Sequence, residues 1–257
     1  MKKCLGVLIL SIICFFNCKA LAKDKVTISY FHAQPHIMFD PSNKKPYGAL
    51  YSFLNEHIAP QMGVQFVWDS HPSNIPRQLI MLSNEIRDAV ALLLFSPTRA
   101  EKFSYPQNPF YAPKSTIGIP SRSRLNKIEK VEDILSLKIG YVDKTYLSPF
   151  MRDKRIQFDF ISSSITPNEA NLKKLQAGRI DAIYIPDKAA LLCGIKNLNI
   201  EDQIRVIDLP EKPGKAHVVF SKNNKALAEA FDKAYQEIDG NRVYMELLNK
   251  YLDVNQL

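Results

Sequence analysis

Residues 82–94 read LSNEIRDAVALLL, and residues 175–185 read LQAGRIDAIYI. In each, a leucine stands six residues ahead of an Asp-Ala pair that opens a short apolar run: Leu82 before Asp88 and Ala89, Leu175 before Asp181 and Ala182. Short continuous apolar runs of this kind read as strands buried on both faces. Such strands, separated by helical patterns, imply a mostly parallel sheet with helices on both sides. The recurrence predicts that the unit is built twice.

Outward from the first run, residues 26–30 alternate as a half-buried strand, and Leu50, Phe53, Leu54 and Ile58 repeat at helical spacing behind Gly48. Residues 64–68 read as a second strand and 76–82 as a short helix capped by Ser73 or Asn74. Outward from the second run, the order is strand at 138–142, helix at 146–152, strand at 157–161 and helix at 167–177. Two βαβαβ units predict two α/β lobes. The Pro- and Tyr-containing stretch 109–120 passes into a strand and reads as a crossing between lobes. After the loop 209–214, with two prolines and a glycine, residues 217–221 read as a strand returning. Two crossings make a hinge, and the amphipathic helices 225–238 and 241–252 are expected to pack back on the first lobe. The expected division is 23–114 with 221–257 as lobe 1 and 115–220 as lobe 2, with crossovers near 115–120 and 216–220.

Ahead of these units, Lys2 and Lys3 precede an uncharged apolar run, residues 5–16, and then Ala20-Leu21-Ala22. That is the charged, apolar and small-residue order of a secretory signal peptide, with cleavage expected after Ala22. The run is shorter than the roughly 20 residues a membrane-spanning helix needs. Neither Cys14 nor Cys18 follows the small residue a lipoprotein signal places there, so a soluble periplasmic monomer is expected. Of the four cysteines only Cys193 lies beyond residue 22, which rules out an internal disulfide and marks it as a small buried apolar residue. Losing Lys2, Lys3 and Lys19 takes the formal charge from +8 to +5. The remaining excess is scattered, without the basic stripe and interleaved aromatics that nucleic-acid binding needs.

Ser96-Pro97-Thr98-Arg99-Ala100-Glu101-Lys102-Phe103, followed by Pro109-Phe110-Tyr111, resembles the signature of the family 3 solute-binding proteins, the polar amino-acid receptors of ABC importers. Lys138-Ile139-Gly140-Tyr141 with Thr145, residues 175–182 and His217-Val218-Val219-Phe220-Ser221-Lys222 fit the same resemblance in order, over roughly residues 25–252. The resemblance implies the two-lobed type II periplasmic binding fold. It also implies a ligand held between lobes and delivery of the closed complex to an inner-membrane ABC permease. Within it Arg99 matches the arginine that holds the ligand carboxylate. A guanidinium suits that role because its planar fork meets a carboxylate bidentately; the alternative is an ion pair with Glu101 or Asp88. Ser96 belongs to the same motif.

Thr145 falls where the second lobe's first strand is expected to enter a helix, so it reads either as an anion contact at a helix N-terminus or as an ordinary cap. Tyr30, Phe31 and His36 follow the first strand, at the carboxyl end of a parallel sheet, where open α/β folds bind ligands. Each of them could equally be core.

Two positions depart from the pattern the resemblance implies. The ammonium of an amino-acid ligand would be met by a hydroxyl or carbonyl side chain five residues before the arginine, and by an aspartate five residues after the Asp of Asp-Ala. Leu94 and Pro186 stand there. Either Asp187 takes the ammonium and an amino acid binds, or the site prefers a carboxylate without an α-ammonium. The remaining motifs, being those of amino-acid receptors, favour the former.

No phosphate-binding loop, zinc-protease helix or serine-nucleophile elbow occurs, so no catalytic residue and no cofactor is expected. Rival readings are a dehydratase-like enzyme on the same fold using Glu169 or Asp187, a periplasmic ligand sensor, and metal capture by His32, His36 and His71.

Overall fold

The computed structural model describes residues 24–161 and 166–254. The signal-peptide expectation, with cleavage after Ala22, lies outside the described residues. The strands are β1 (Lys25–Ser29), β2 (Met38–Asp40), β3 (Lys45–Tyr47), β4 (Gln65–Trp68), β5 (Ala89–Leu94), β6 (Thr116–Pro120), β7 (Lys138–Val142), β8 (Gln157–Ile161), β9 (Ala182–Ile185), β10 (Ile204–Asp208) and β11 (Ala216–Phe220). They form two main sheets, ordered β11-β5-β1-β4 and β10-β6-β9-β7-β8, and a small β2-β3 ribbon.

The two sheets repeat one plan. β1 lies parallel between β4 and β5, and β7 lies parallel between β8 and β9. Beyond β5 and β9 each sheet continues antiparallel, with β11 and with β6 followed by β10. The Asp-Ala echo is part of the plan. The Asp88 amide donates to the Thr27 carbonyl at 3.0 Å while its Oδ2 accepts from the Thr27 amide at 2.8 Å. Asp181 makes the same pair with Lys138, at 2.9 and 2.8 Å. Each aspartate so ties the start of its strand to the start of the central one, and Leu82 and Leu175 are buried beside them. Buried backbone amides need partners, so an acceptor at this junction has a structural reason in both lobes.

Apolar burial follows the sheets. Phe53, Leu54 and Ile58 from the helical stretch behind Gly48 join Val26, Ile28, Phe110, Phe231 and Tyr244 in the first core, which includes the two C-terminal helices, Lys225–Glu237 and Gly240–Val254. The second lobe has two smaller clusters, around Ile117, Ile139 and Tyr184 and around Leu172, Leu191 and Ile195, one on each face of its sheet.

Three features differ from expectation. Residues 216–220 pair with β5, so this strand belongs to the first sheet, and the chain returns between Asp208 and Ala216. The two crossing segments bond to each other there, Gly214 N–H to the Pro113 carbonyl at 2.8 Å and Ala216 N–H to the Tyr111 carbonyl at 2.9 Å. Residues 146–152 form no α-helix, only a turn of 3-10 helix at Phe150–Arg152, because Pro149 cannot donate inside a helix. The helix Lys188–Asn197, capped by the Asp187 side chain, has no counterpart in the expected order of elements.

On β11, His217 is 3 % exposed and faces the rings of Tyr105 and Phe95. Neither ring nitrogen has a hydrogen-bond partner. Burial pushes its pKa from 6.5 down to about 4, with Lys215 adding to the shift and Asp232 opposing it. A folded pKa below the unfolded one means that the unfolded chain binds more protons, so this stability is complete above pH 6.5 and is lost as pH falls toward 4. The gap is worth about 3 kcal/mol at most. Urea midpoints of the parent are expected to fall across that window, and those of His217→Phe to fall less steeply. Parallel curves would place the acid sensitivity elsewhere.

Candidate ligand cleft between the lobes

The loops that follow β1, β4 and β5 face those that follow β7 and β9, together with the start of the helix Pro167–Gln176, across a cleft of about 420 Å³. That volume suits a small organic solute. Its walls are largely apolar, with Leu92, Leu94, Pro72 and Ile75 from the first lobe and Tyr146, Ile185 and Pro186 from the second. Three helices begin at the lining: Ile75–Ser83, whose cap Asn74 accepts from Arg77 N–H at 3.0 Å, Pro167–Gln176 and Lys188–Asn197. Helix N-termini carry partial positive charge, which favours an anionic group between them.

Arg99 lines the cleft from the short turn Pro97–Ala100 that follows β5. Its Nη1 makes one long hydrogen bond, 3.4 Å, to the Leu94 carbonyl. Among the described residues it has no ion-pair partner, so the alternative of pairing with Glu101 or Asp88 is not realised. Burial pushes the nearby Tyr105 phenol up to about 12 while the Arg99 charge pulls the other way. The guanidinium is therefore a cation on the cleft wall, beside the Tyr105 phenol and without a carboxylate partner among the described residues.

Thr145 also lines the cleft, but in a turn. Its N–H and its hydroxyl both donate to the Val142 carbonyl, at 3.2 and 2.7 Å, and its own carbonyl accepts from the Tyr141 hydroxyl at 2.7 Å. The helix N-terminus expected at this position is absent, and the residue offers a solute only the acceptor side of its hydroxyl. Ser96 is partly exposed before the turn Pro97–Ala100 and is not among the lining residues. Tyr30 is fully buried, edge-on to Trp68, and its phenol is pushed up to about 12 by burial and by Asp69, so the structure places it in the core.

His36 and Asp187 both line the cleft, and they bond to each other. His36 Nε2 lies 2.5 Å from Asp187 Oδ2, and His36 Nδ1 lies 2.5 Å from the Tyr244 hydroxyl. Asp187 Oδ1 accepts from the Tyr111 hydroxyl at 3.0 Å and from the Ala189 amide at 3.1 Å. Burial together with the Asp187 charge raises the phenols of Tyr111 and Tyr244, so both remain protonated. Gln34 adds a second link between lobes, donating to Glu169 at 3.3 Å and accepting from Asn197 at 3.0 Å.

Residue by residue, sequence reasoning underrates His32, Tyr111 and Asp143. His32 lines the cleft with two buried ring nitrogens that have no partner, and burial lowers its pKa against the opposing charge of Glu169. It is thus a neutral donor and acceptor on the cleft wall. Tyr111 lies in the quoted Pro109-Phe110-Tyr111 motif, which is the signal that points to it. Among the described residues no group of three His, Cys, Asp or Glu side chains is placed to hold a metal ion, and His71 pairs with Ser70 instead. No described helix is long and apolar enough to cross a membrane.

The sequence profile of the bacterial extracellular solute-binding proteins, family 3, matches residues 26–254. No curated protein matches the chain in sequence. In fold it is similar to an amino acid ABC transporter substrate-binding protein of Streptococcus pneumoniae bound to L-arginine, with TM-score 0.74 and 16 % identity over 91 % of this chain and 97 % of that one. It is also similar to an ancestral arginine-binding protein bound to arginine, with TM-score 0.73 and 17 % identity over 89 % of this chain and 98 % of that one. The periplasmic domain of BvgS from Bordetella pertussis has TM-score 0.73 at 11 % identity, over 90 % of this chain and 43 % of that one.

Proposed function

Because the chain belongs to the bacterial extracellular solute-binding proteins of family 3, we propose that it is a periplasmic receptor that closes on a small carboxylate-bearing solute of amino-acid size and presents it to an inner-membrane ABC permease. The observation that carries this reading is the unpaired Arg99 guanidinium on the wall of a cleft that both lobes line. A solute carboxylate would meet the Arg99 fork near the N-terminus of the helix Ile75–Ser83, which has no acidic residue in its first turn, and His32 would bond whatever polar group lies beyond. The arginine held by two proteins of similar fold supports a carboxylate-bearing solute of this size. The cleft is built to hold and release, and the protein acts as a monomer, carrying its solute without altering it.

The proposed division is residues 24–114 with 216–254 as one lobe and 115–215 as the other, hinged at the mutually bonded crossings, and the two separate sheets support it. A solute that touches both lobes stabilises the closed arrangement over the open one. A thermal-shift screen of small carboxylates is the direct test, since a solute at 100 times its Kd stabilises the folded state by about 2.7 kcal/mol. The best binder of that screen is expected to reduce the radius of gyration in small-angle scattering. An unchanged profile at saturation would overturn the hinge, and a screen in which no carboxylate stabilises the protein would overturn the reading itself.

A further inference from the structure

The bond between His36 and Asp187 joins the lobes through groups the solute does not supply. His36 comes from the loop after β1, Tyr111 from the crossing and Tyr244 from the helix Gly240–Val254, all packed on the first sheet. Asp187 caps the helix Lys188–Asn197 of the second lobe. The side chains of His36 and Asp187 are 2 % and 15 % exposed. Three of the roughly four acceptor sites of the carboxylate are already taken, by the imidazole, the Tyr111 hydroxyl and the Ala189 amide. The imidazole cannot swing aside, because its other nitrogen is held by Tyr244, which is itself fully buried.

A solute ammonium reaching for Asp187 finds at most the one remaining acceptor site, and to take the carboxylate fully it must displace His36 Nε2 and leave that nitrogen buried without a partner, which is costly. At the two positions where the resemblance implies ammonium contacts the wall is apolar, Leu94 and Pro186, and the Leu94 carbonyl already accepts from Arg99; the other side-chain acceptors Ser73, Thr145 and His32 of the lining are uncharged. Asp143 is the other carboxylate of the lining, partly exposed after β7.

We propose that His36 is a built-in stand-in for a solute ammonium: it occupies Asp187 when the lobes close, so that the cleft selects a carboxylate with no ammonium beside it. The inference rests on the reading of the cleft as a carboxylate site. On this assignment Asp187 is a positioning residue that helps close the lobes, and selectivity resides in what His36 leaves unavailable.

The test compares matched pairs in calorimetry: L-phenylalanine with 3-phenylpropionate, L-glutamine with 4-carbamoylbutyrate, and L-arginine with 5-guanidinopentanoate. The parent is expected to bind the acid lacking the ammonium at least tenfold more tightly in the pair it recognises. His36→Phe frees Asp187, and is expected to shift the ratio toward the amino acid by tenfold or more, a gain that a purely structural histidine would not produce. If His36→Phe does not fold, Asp187→Asn serves: affinity falls as closing weakens, but the preferred member of the pair stays the same. An amino acid bound as tightly as its partner, with that binding lost in Asp187→Asn or in Asp143→Asn, overturns the inference and leaves the carboxylate site standing. Binding of the acids unchanged in Arg99→Ala overturns the carboxylate site instead.

Discussion

Arg99→Ala is expected to weaken binding of the solute at least 30-fold while lowering the midpoint of the solute-free protein by only a few degrees. The asymmetry follows from what the side chain touches. In the protein alone its guanidinium makes one 3.4 Å hydrogen bond, to the Leu94 carbonyl, and no ion pair among the described residues. A surface-lining side chain so lightly tied costs little stability when removed. On the proposed reading the same group faces the solute carboxylate in a cleft walled by leucine, proline and tyrosine, where losing one partner of a buried charged pair typically costs about 2–5 kcal/mol. Arg99→Lys keeps the charge but loses the planar fork, and is expected to recover only part of the affinity. Calorimetry on the three proteins checks this. Equal affinities would mean that Arg99 points its donors at water and that the anion sits at the helix N-termini alone.

The two-lobed order was legible because its signals are local. Leu82, Asp88 and Ala89 recur as Leu175, Asp181 and Ala182, and the structure supplies the reason: both aspartates bond the start of the central strand of their sheet. Asn74 as a helix cap was equally local. Misreadings arose where a local signal was overridden or ignored. Apolar residues around 146–152 suggested a helix, yet Pro149 removes a donor from its middle. Asp187 followed by Leu191 and Ile195 carried the cap and spacing of the helix Lys188–Asn197, a pattern hidden by reading Asp187 only as an ion-binding residue.

The cleft was harder to read, because its chemistry is made between distant residues. His36 meets Asp187 across 151 positions and Tyr244 across 208. No spacing rule links them, and His36, following the first strand, reads either as a residue of the ligand-binding end of the sheet or as core. What the sequence did expose was the anomaly, Leu94 and Pro186 where polar groups were expected. The structure sets the His36 imidazole against Asp187, one residue beyond Pro186.

Gly48→Ala is expected to cost the protein about 3 kcal/mol or more, whereas Gly63→Ala costs about 1 to 2 kcal/mol. Both glycines have positive φ, but they differ in conformation and in surroundings. Gly63 sits at φ +66 with nothing within 4 Å of an added Cβ, so alanine there meets only the intrinsic penalty of the left-handed region. Gly48 has φ 126 and ψ 175, a region open in practice to glycine alone, and a Cβ would lie 2.6 Å from the His36 carbonyl oxygen and 3.0 Å from that of Pro35. Those carbonyls cannot retreat freely, because they accept from the first amides of the helical stretch, Pro35 from Ala49 at 3.2 Å and His36 from Leu50 at 2.7 Å. The turn that starts this helix therefore also fixes the backbone of His36, and with it the bond to Asp187. For a domain of this size 1 kcal/mol shifts Tm by roughly 2–4 °C, so Gly48→Ala is expected to melt about 6–12 °C lower and Gly63→Ala about 2–8 °C lower. Gly48→Ala should in addition weaken solute binding, because the displaced His36 no longer meets Asp187 on closing, while Gly63→Ala should leave affinity unchanged. Equal melting points and equal affinities for the two variants would show that the 35–36 backbone yields without cost, and that His36 is not held in place by this turn.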